Sequence, residues 1–273
     1  MPRTGASSFS FPEFRGATRR LVLANVGAFF ALLIAGLAAP EATSTLVKHL
    51  LFQPDLFVHG ELWQPFTYSF IHPPGAILGT ALELVSLWFM AGFLEQMHTP
   101  SWVTGLYASS VLGTAGAALA IYGVGGTLGM AKDPVALYGC FGGIFGMLVA
   151  IGVLYGDMEF LLFFTIGIKA RYMAVLYGLI TIAMLFGPQG KYAFAQLGGA
   201  LAGVLFLKLA PRRGITFAFS EKLYGMRNRY YRWKRRRAAR KFEVYMRSQG
   251  RTVRFDGQGR QLDDDPDDKK RWN

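Results

Sequence analysis

The sequence predicts an all-α membrane protein: a bundle of six transmembrane helices, then a basic cytoplasmic C-terminal helix and an acidic, disordered end. Three observations carry this. Hydrophobic residues fill 52% of the 273 positions and the mean hydropathy is +0.28, too apolar for an ordinary soluble domain. Several apolar runs reach the ~20 residues that cross a bilayer. The formal net charge of +12 is also uneven, because Pro211–Asn273 holds 19 Lys/Arg against 8 Asp/Glu while the rest is nearly neutral. The single cysteine, Cys140, excludes an internal disulfide, so nothing ties the fold to an oxidising compartment.

Residues 1–20 form a polar N-terminal arm with Arg3, Arg15, Arg19 and Arg20. The apolar run Leu21–Ala39 exceeds the core of a signal peptide and has no small-residue cleavage site, which predicts a retained first span. Residues 40–75 are a long mixed connection with Trp63, Phe66, Tyr68 and Phe70, and with His59 and His72. Aromatics of this kind belong at a membrane–water interface and predict a partly embedded loop. No second ligand cluster accompanies the histidines, so they are read as surface or interfacial, and neither a metal nor a cofactor is called for. Ala76–Gln96 predicts the second span, with Glu83 in its interior and Glu95 at its end. Ser101–Tyr122 predicts the third.

A glycine-rich connection over 123–133 follows, and Pro134 suits the first turn of a helix. The fourth span, Val135–Tyr155, contains the stretch Tyr138–Ala150. There Gly139, Gly142, Gly143 and Gly146 make overlapping small-xxx-small pairs that let helices meet backbone to backbone. Residues 157–168 are a connection too short to cross. Ala170–Phe186 is the fifth span, Gly187-Pro188-Gln189-Gly190 a tight turn, and Tyr192–Ala210 the sixth span, with Gly198, Gly199 and Gly203 on it.

Six spans put both termini on one side. The basic ends, with Lys169 and Arg171 on the same side, make that side cytoplasmic. The predicted divisions are thus the arm (1–20), the six-helix membrane domain (21–210) and the basic tail (211–273). The tail has helix-forming composition over about 220–249. Its Arg232, Lys234, Arg235, Arg236 and Arg237 are interleaved with aromatics and predict contact with anionic lipid headgroups. The same composition suits RNA, but juxtamembrane placement favours lipid, and nucleic acid is not expected. Asp263–Asp268 is acidic and lacks apolar residues, the composition of a disordered end.

Several motifs, taken in order and helix placement, resemble the rhomboid family of intramembrane serine proteases (peptidase S54) over about residues 20–210. Gly60, then Trp63-Gln64-Pro65-Phe66-Thr67-Tyr68 and His72, are similar to the family's aromatic loop, with Gln64 in place of an Arg. Leu87-Trp88-Phe89-Met90-Ala91-Gly92-Phe93-Leu94-Glu95 is similar to the Leu-Trp…Gly…Glu pattern of the second helix. Gly139, Gly142, Ile144, Phe145 and Gly146 match Gly-x-Ser-Gly-x-Ile-Phe-Gly. Ala195, Leu197, Gly198, Gly199 and Gly203 match Ala-His-Leu-Gly-Gly-x-x-x-Gly.

The chemical positions depart from the family. Phe141 stands at the nucleophile position and Gln196 at the base position. A phenyl ring cannot attack a carbonyl, and a carboxamide has no proton affinity near neutral pH. Gly79 and Glu83 stand where the family holds the oxyanion, and an ionised carboxylate would repel one. Cys140 is one residue off, about 100° around a helix from the serine position, with no intramembrane histidine expected beside it. Glu83 and Gln196 are expected to line the vacated cavity and to hydrogen-bond there, with Phe141 filling part of it. Glu95 is structural by the resemblance.

The resemblance therefore implies a catalytically inactive rhomboid-like protein that binds or scaffolds other transmembrane segments. Trp63, Phe66, Tyr68 and Glu83 are the partner-contact candidates, and the groove between the second and fifth spans is the route in. Two alternatives stand beside it: an active protease using Cys140, and an accessory subunit of a larger membrane complex. The expected partners are membrane lipids and other transmembrane proteins, and the expected location is a bacterial cytoplasmic membrane.

Overall fold

The computed structural model describes residues 12–127, 135–162 and 166–209. Beyond these it describes 227–228, 230–235, 237–239, 241–242, 244–245, 248–249, 254–255 and 261–262. The chain divides into two compact units, Met1–Gly214 and Ile215–Asn273.

The described part of the first unit is a helical bundle with one small hairpin. Helix α1 (Gly16–Ala38) is followed by the short helices α2 (Pro40–Leu50), α3 (Pro54–Val58) and α4 (Gln64–Thr67), and then by a 3₁₀ turn at Tyr68–Phe70. Next come α5 (Ile77–Met97), α6 (Pro100–Thr127) and α7 (Phe141–Leu154). The antiparallel strands β1 (Glu159–Leu162) and β2 (Ile166–Lys169) lead into α8 (Ala170–Met184) and α9 (Gly190–Leu209).

Four of these helices, α1, α5, α6 and α9, are long and apolar enough to cross a membrane. The expected fourth and fifth spans are shorter. α7 has 14 residues and α8 has 15, about 21–23 Å against a hydrocarbon core of about 30 Å. The fourth is shortened because residues 135–140 are not helical. Leu137 pairs with Phe52 across an antiparallel bridge (N–H···O distances of 2.9 and 3.2 Å), and Gly139 has a φ of +75°. A left-handed glycine ends the extended segment and lets the helix begin two residues later.

Other boundaries also move. α1 starts five residues before the predicted run, and α6 runs into the glycine-rich connection as far as Thr127. The predicted connection after α7 is a β-hairpin, and its Phe160 packs edge-on against Phe89 and Phe93 of α5 (centroid separations of 5.8 and 5.0 Å). The expected embedded loop is largely helical: α2–α4 and the 3₁₀ turn occupy most of residues 40–75.

The core lies where α6, α7 and α9 meet. Added Cβ atoms at Gly142, Gly143 and Gly146 would overlap Thr114, Tyr107 and Ser110 of α6, and Gly203 of α9 lies against Gly146. Gly113 and Gly198 face each other so closely that a Cβ on either would sit 2.7–2.8 Å from the other's carbonyl oxygen. Backbone-to-backbone approach is what small residues permit between apolar helices.

In the second unit, described residues over 230–235 are helical and exposed, Arg237 lies over the Trp233 ring at 5.4 Å, and Arg254–Phe255 pairs with Gln261–Leu262. Of the lipid-contact candidates, Arg232, Lys234, Arg235 and Arg237 are exposed; Arg236 and the acidic stretch Asp263–Asp268 lie outside the described residues.

Two predictions follow from the packing. Gly113→Ala or Gly198→Ala should destabilise the bundle by about 1–3 kcal/mol, because backbone must move. Gly116→Ala on the same helix, where nothing lies within 4 Å of an added Cβ, should be neutral or stabilising by up to about 1 kcal/mol. Thermal melting of the three variants in detergent checks the contrast. The second concerns His98, which stacks on Trp102 (3.7 Å, 10° between planes) with Nε2 2.9 Å from the Tyr155 hydroxyl. Burial pushes its pKa below the ordinary histidine value, so the folded state binds fewer protons than the unfolded one. Its contribution is complete above pH about 6.5 and is lost as pH falls below that. The melting temperature should drop from pH 7.5 to 5.5, and less so in His98→Asn.

Candidate functional site

Helix α5 carries two carboxylates, and each is seated on the N-terminus of a neighbouring helix. Neither recipient has a capping side chain of its own: Arg15 precedes α1 and Cys140 precedes α7 without a side-chain cap bond. Glu95 accepts the Ala17 and Thr18 N–H groups, both at 2.9 Å, and the Thr18 hydroxyl at 2.6 Å. This is why α1 begins before the apolar run: Glu95 satisfies its first amides.

Glu83 does the same for α7. Its Oε1 accepts the Cys140 N–H in a short hydrogen bond, with the Phe141 N–H as a second neighbouring donor. A carboxylate at a helix N-terminus gains from the free amides and the positive end of the dipole. Each site is opened by a glycine at positive φ. A Cβ at Gly16 (φ +52°) would overlap Glu95 Oε1, and one at Gly139 (φ +75°) would lie 2.7 Å from Glu83 Oε1.

The connection 52–72 builds the wall opposite Glu83. Tyr68 donates its hydroxyl to the Val111 carbonyl at 2.7 Å, pinning the 3₁₀ turn to α6. The Gly139 N–H is shared between the carbonyls of Tyr68 (3.1 Å) and Ile71 (2.8 Å). His72 is thereby carried inside. It is 3% exposed, with Nδ1 3.3 Å from the Phe70 carbonyl and Nε2 3.5 Å from Glu83 Oε2. Burial lowers its pKa, offset in part by the Phe70 carbonyl. His72, Glu83 and Cys140 are all buried, and their ligand-type atoms lie within 4.8 Å of one another.

Several sequence expectations are corrected here. His72 is buried rather than interfacial, because the paired Gly139 amide draws the Tyr68–Ile71 segment inward. A histidine therefore does lie beside Cys140, and a group of potential ligands does exist. Cys140 is not inside a helix; it is the residue that precedes α7, so a helical rotation from Phe141 does not describe it. Tyr68 is 1% exposed and belongs to the core, not to an interface, whereas Trp63 and Phe66 are 50% and 60% exposed.

Glu83 is bonded to the α7 N-terminus, and Gln196, although buried on α9, shares no hydrogen bond with it among the described residues. Phe141 is half-buried in the first turn of α7, and Gly79 is exposed on α5. His59 is at the surface.

A second polar network went unseen in the sequence. Gln64, fully buried, accepts the Gln53 N–H (2.8 Å) and donates to Glu61 (2.7 Å), whose other oxygen meets His49 Nδ1 at 2.7 Å. Trp63 donates to the His49 carbonyl at 3.0 Å. For His72 the available signal was Pro73-Pro74. Proline restricts the residue before it to extended backbone, so His72 cannot continue the turn.

A groove of about 490 Å³ runs between α1 and α5, lined only by apolar atoms from residues such as Val26, Phe29, Ala81, Leu84 and Val85. It lies beside α1, not between the predicted second and fifth spans.

A mostly helical bundle with four membrane-length apolar helices and a polar centre buried among them defines an integral membrane protein. Residues 22–213 match the family described as "Eukaryotic integral membrane protein (DUF1751)", and the chain belongs to that family. Among curated proteins none matches it. The family's description overturns the expected bacterial cytoplasmic membrane, while membrane insertion stands. The bacterial expectation rested on no residue-level feature, since span length and basic flanks follow the same physics in any membrane.

The cap predicts a graded response. Glu83→Ala leaves buried amides without a partner and should cost about 2–3 kcal/mol. Glu83→Gln keeps an acceptor oxygen and should cost about half as much. Denaturant or thermal unfolding of the purified protein checks the order, and equal losses would contradict the capping role.

Proposed function

We propose that the chain is a non-proteolytic, rhomboid-like membrane protein that holds other transmembrane segments. The observation that carries the reading is the Glu83 carboxylate on the first amides of α7. Acyl transfer at a helix N-terminus needs unpaired donors aimed at a developing oxyanion. Here the Cys140 amide is already given to a carboxylate, whose own oxygens would repel an oxyanion. Phe141 in the first turn and Gln196 on α9 supply neither nucleophile nor base.

The topology that goes with this reading has six crossing segments, with the shorter α7 and α8 as the fourth and fifth, and both basic ends on one face. The basic residues within 211–273 suit contact with anionic lipid headgroups. Trp63 and Phe66 sit in the interfacial belt, and the exposed apolar faces of α5 (Leu82, Val85) and α8 (Val175, Leu179) flank the route for a partner helix.

The proximity of His72 to Cys140 favours a second reading, a cysteine protease. Against it, the thiol is fully buried and the donor an oxyanion would need is occupied. The test is the double variant Phe141→Ser, Gln196→His, assayed on a panel of transmembrane substrates. No cleavage is expected, because the Glu83 carboxylate still blocks the amides. Cleavage by the variant overturns the account of the site; cleavage by the unmodified chain that is lost in Cys140→Ala establishes the cysteine reading instead.

A further inference from the structure

We propose that His72, Glu83 and Cys140 form a binding site for one zinc-type divalent cation, held between the 71–73 segment, α5 and the start of α7. The inference is independent of whether the protein cuts or holds other segments. It rests first on donor chemistry. Imidazole nitrogen, carboxylate oxygen and cysteine sulfur are the three ligand types that Zn²⁺ takes, and three protein ligands leave a fourth position open. Their ligand atoms lie within 4.8 Å of one another. A tetrahedral zinc holds its ligands roughly 3.5 Å apart, so the group closes onto the ion by shifts of about an ångström.

The second observation is independent of the grouping. His72 Nε2 belongs to a side chain with no exposed surface and has no hydrogen-bond partner. At 3.5 Å from Glu83 Oε2, it is beyond an N–H···O bond of ordinary length, with the carboxylate as its neighbour. Nδ1 meets the Phe70 carbonyl, an acceptor, at 3.3 Å, and a ring proton on Nδ1 leaves Nε2, 3.5 Å from Glu83 Oε2, as the lone-pair nitrogen. A lone pair facing a carboxylate in a buried site calls for a positive charge between them. This is also how zinc-bound histidines are set, with the far nitrogen donating to a backbone carbonyl.

Glu83 is divided in the same way. Oε1 is committed to the Cys140 amide, Oε2 faces His72, and the Cys140 thiol also hydrogen-bonds to the carboxylate, so the three ligand groups already meet at Glu83.

The charges balance. A carboxylate and a thiolate sum to −2, and a divalent ion brings the centre to neutrality, which removes the cost of an uncompensated charge inside the bundle. Binding would release the thiol proton to solvent as the sulfur coordinates. His72 also borders a cleft of about 480 Å³ between α1 and α2, with Leu33, Val47 and Pro74 among its walls, and its enclosed side chain would have to turn to admit an ion from there.

The experiment uses the full chain, purified in detergent, stripped with chelator and then titrated with Zn²⁺ alone and with Co²⁺ alone. One equivalent of Zn²⁺ should bind and raise the melting temperature, and Co²⁺ should give a thiolate charge-transfer band. His72→Asn and Cys140→Ser should each weaken Zn²⁺ binding more than about tenfold, since losing a ligand exceeds the effect of losing its support. Cys140→Ser should also abolish the band. If the unmodified chain binds no Zn²⁺, or binds Co²⁺ without the thiolate band, the proposal is wrong and His72 and Glu83 share a proton instead. That readout comes from the unmodified protein, so it decides the matter even if a variant fails to fold.

Discussion

Two carboxylates on one helix hold the first unit together at its polar points. α5 is apolar along most of its length, yet Glu83 and Glu95 leave it in different directions and end on the first amides of α7 and α1. An unpaired helix N-terminus inside a bundle would strand several N–H groups without water, and each would cost a kilocalorie or more. A buried carboxylate is costly for the opposite reason. Placed together, each removes the other's penalty. Because the acceptor lies on a third element, the bond also fixes where α1 and α7 begin relative to α5, which a local Ser or Asp cap would not do.

The position of α7 then determines the rest of the centre. Its start at Phe141 follows a non-helical segment, 135–140, whose left-handed Gly139 turns the chain into the helix, and this segment needs partners for its own amides. Phe52 supplies one through its bridge to Leu137, and the carbonyls of Tyr68 and Ile71 supply the other through Gly139. The connection 52–72 is therefore drawn against the bundle as a plug, fixed to α6 by the Tyr68 hydroxyl. His72 reaches Glu83 because of this chain of backbone bonds. The glycines at 142, 143 and 146 let α7 sit close enough to α6 for the arrangement to close.

How much of this could be read in advance depends on the range of the interaction. The long apolar helices α1, α5, α6 and α9 were visible because hydropathy is a local property summed over ~20 residues. The clustering of glycines on α7 and α9 was visible for the same reason. Glu83 stood out as an ionisable group within an apolar run, a position that marks it by itself. Its partner did not, because a backbone amide has no sequence signature, and a hydrogen bond to Gln196 was the side-chain guess that filled the gap. The starts of α1 and α7 were misjudged because both are set by caps from 78 and 57 residues away in the chain. Tyr68 and His72 read as interfacial because aromatic and histidine side chains suit an interface in general. Only the pairing of Gly139 with their segment shows that these two face inward while Trp63 and Phe66 face out.

The same distinction bears on what the outer surface can recognise. Between their polar ends (Arg19, Arg20, Gln96 and Arg171), α1, α5 and α8 expose apolar or aromatic side chains and glycine, and the α1–α5 groove presents no polar atom. Against lipid tails such a surface gains nothing by choosing one apolar neighbour over another, since tails are as apolar as leucine. Selectivity among membrane segments has to come from shape or from polar groups held at a defined depth. Among the described residues, two such groupings are the Gln53–Glu61–Gln64–His49 network beside Trp63 and the His72–Glu83–Cys140 centre. The first is built from the connection between α1 and α5; the second joins His72 of that connection to Glu83 of α5 and to Cys140 ahead of α7. Both therefore depend on the plug formed by residues 52–72, which the long helices hold in place.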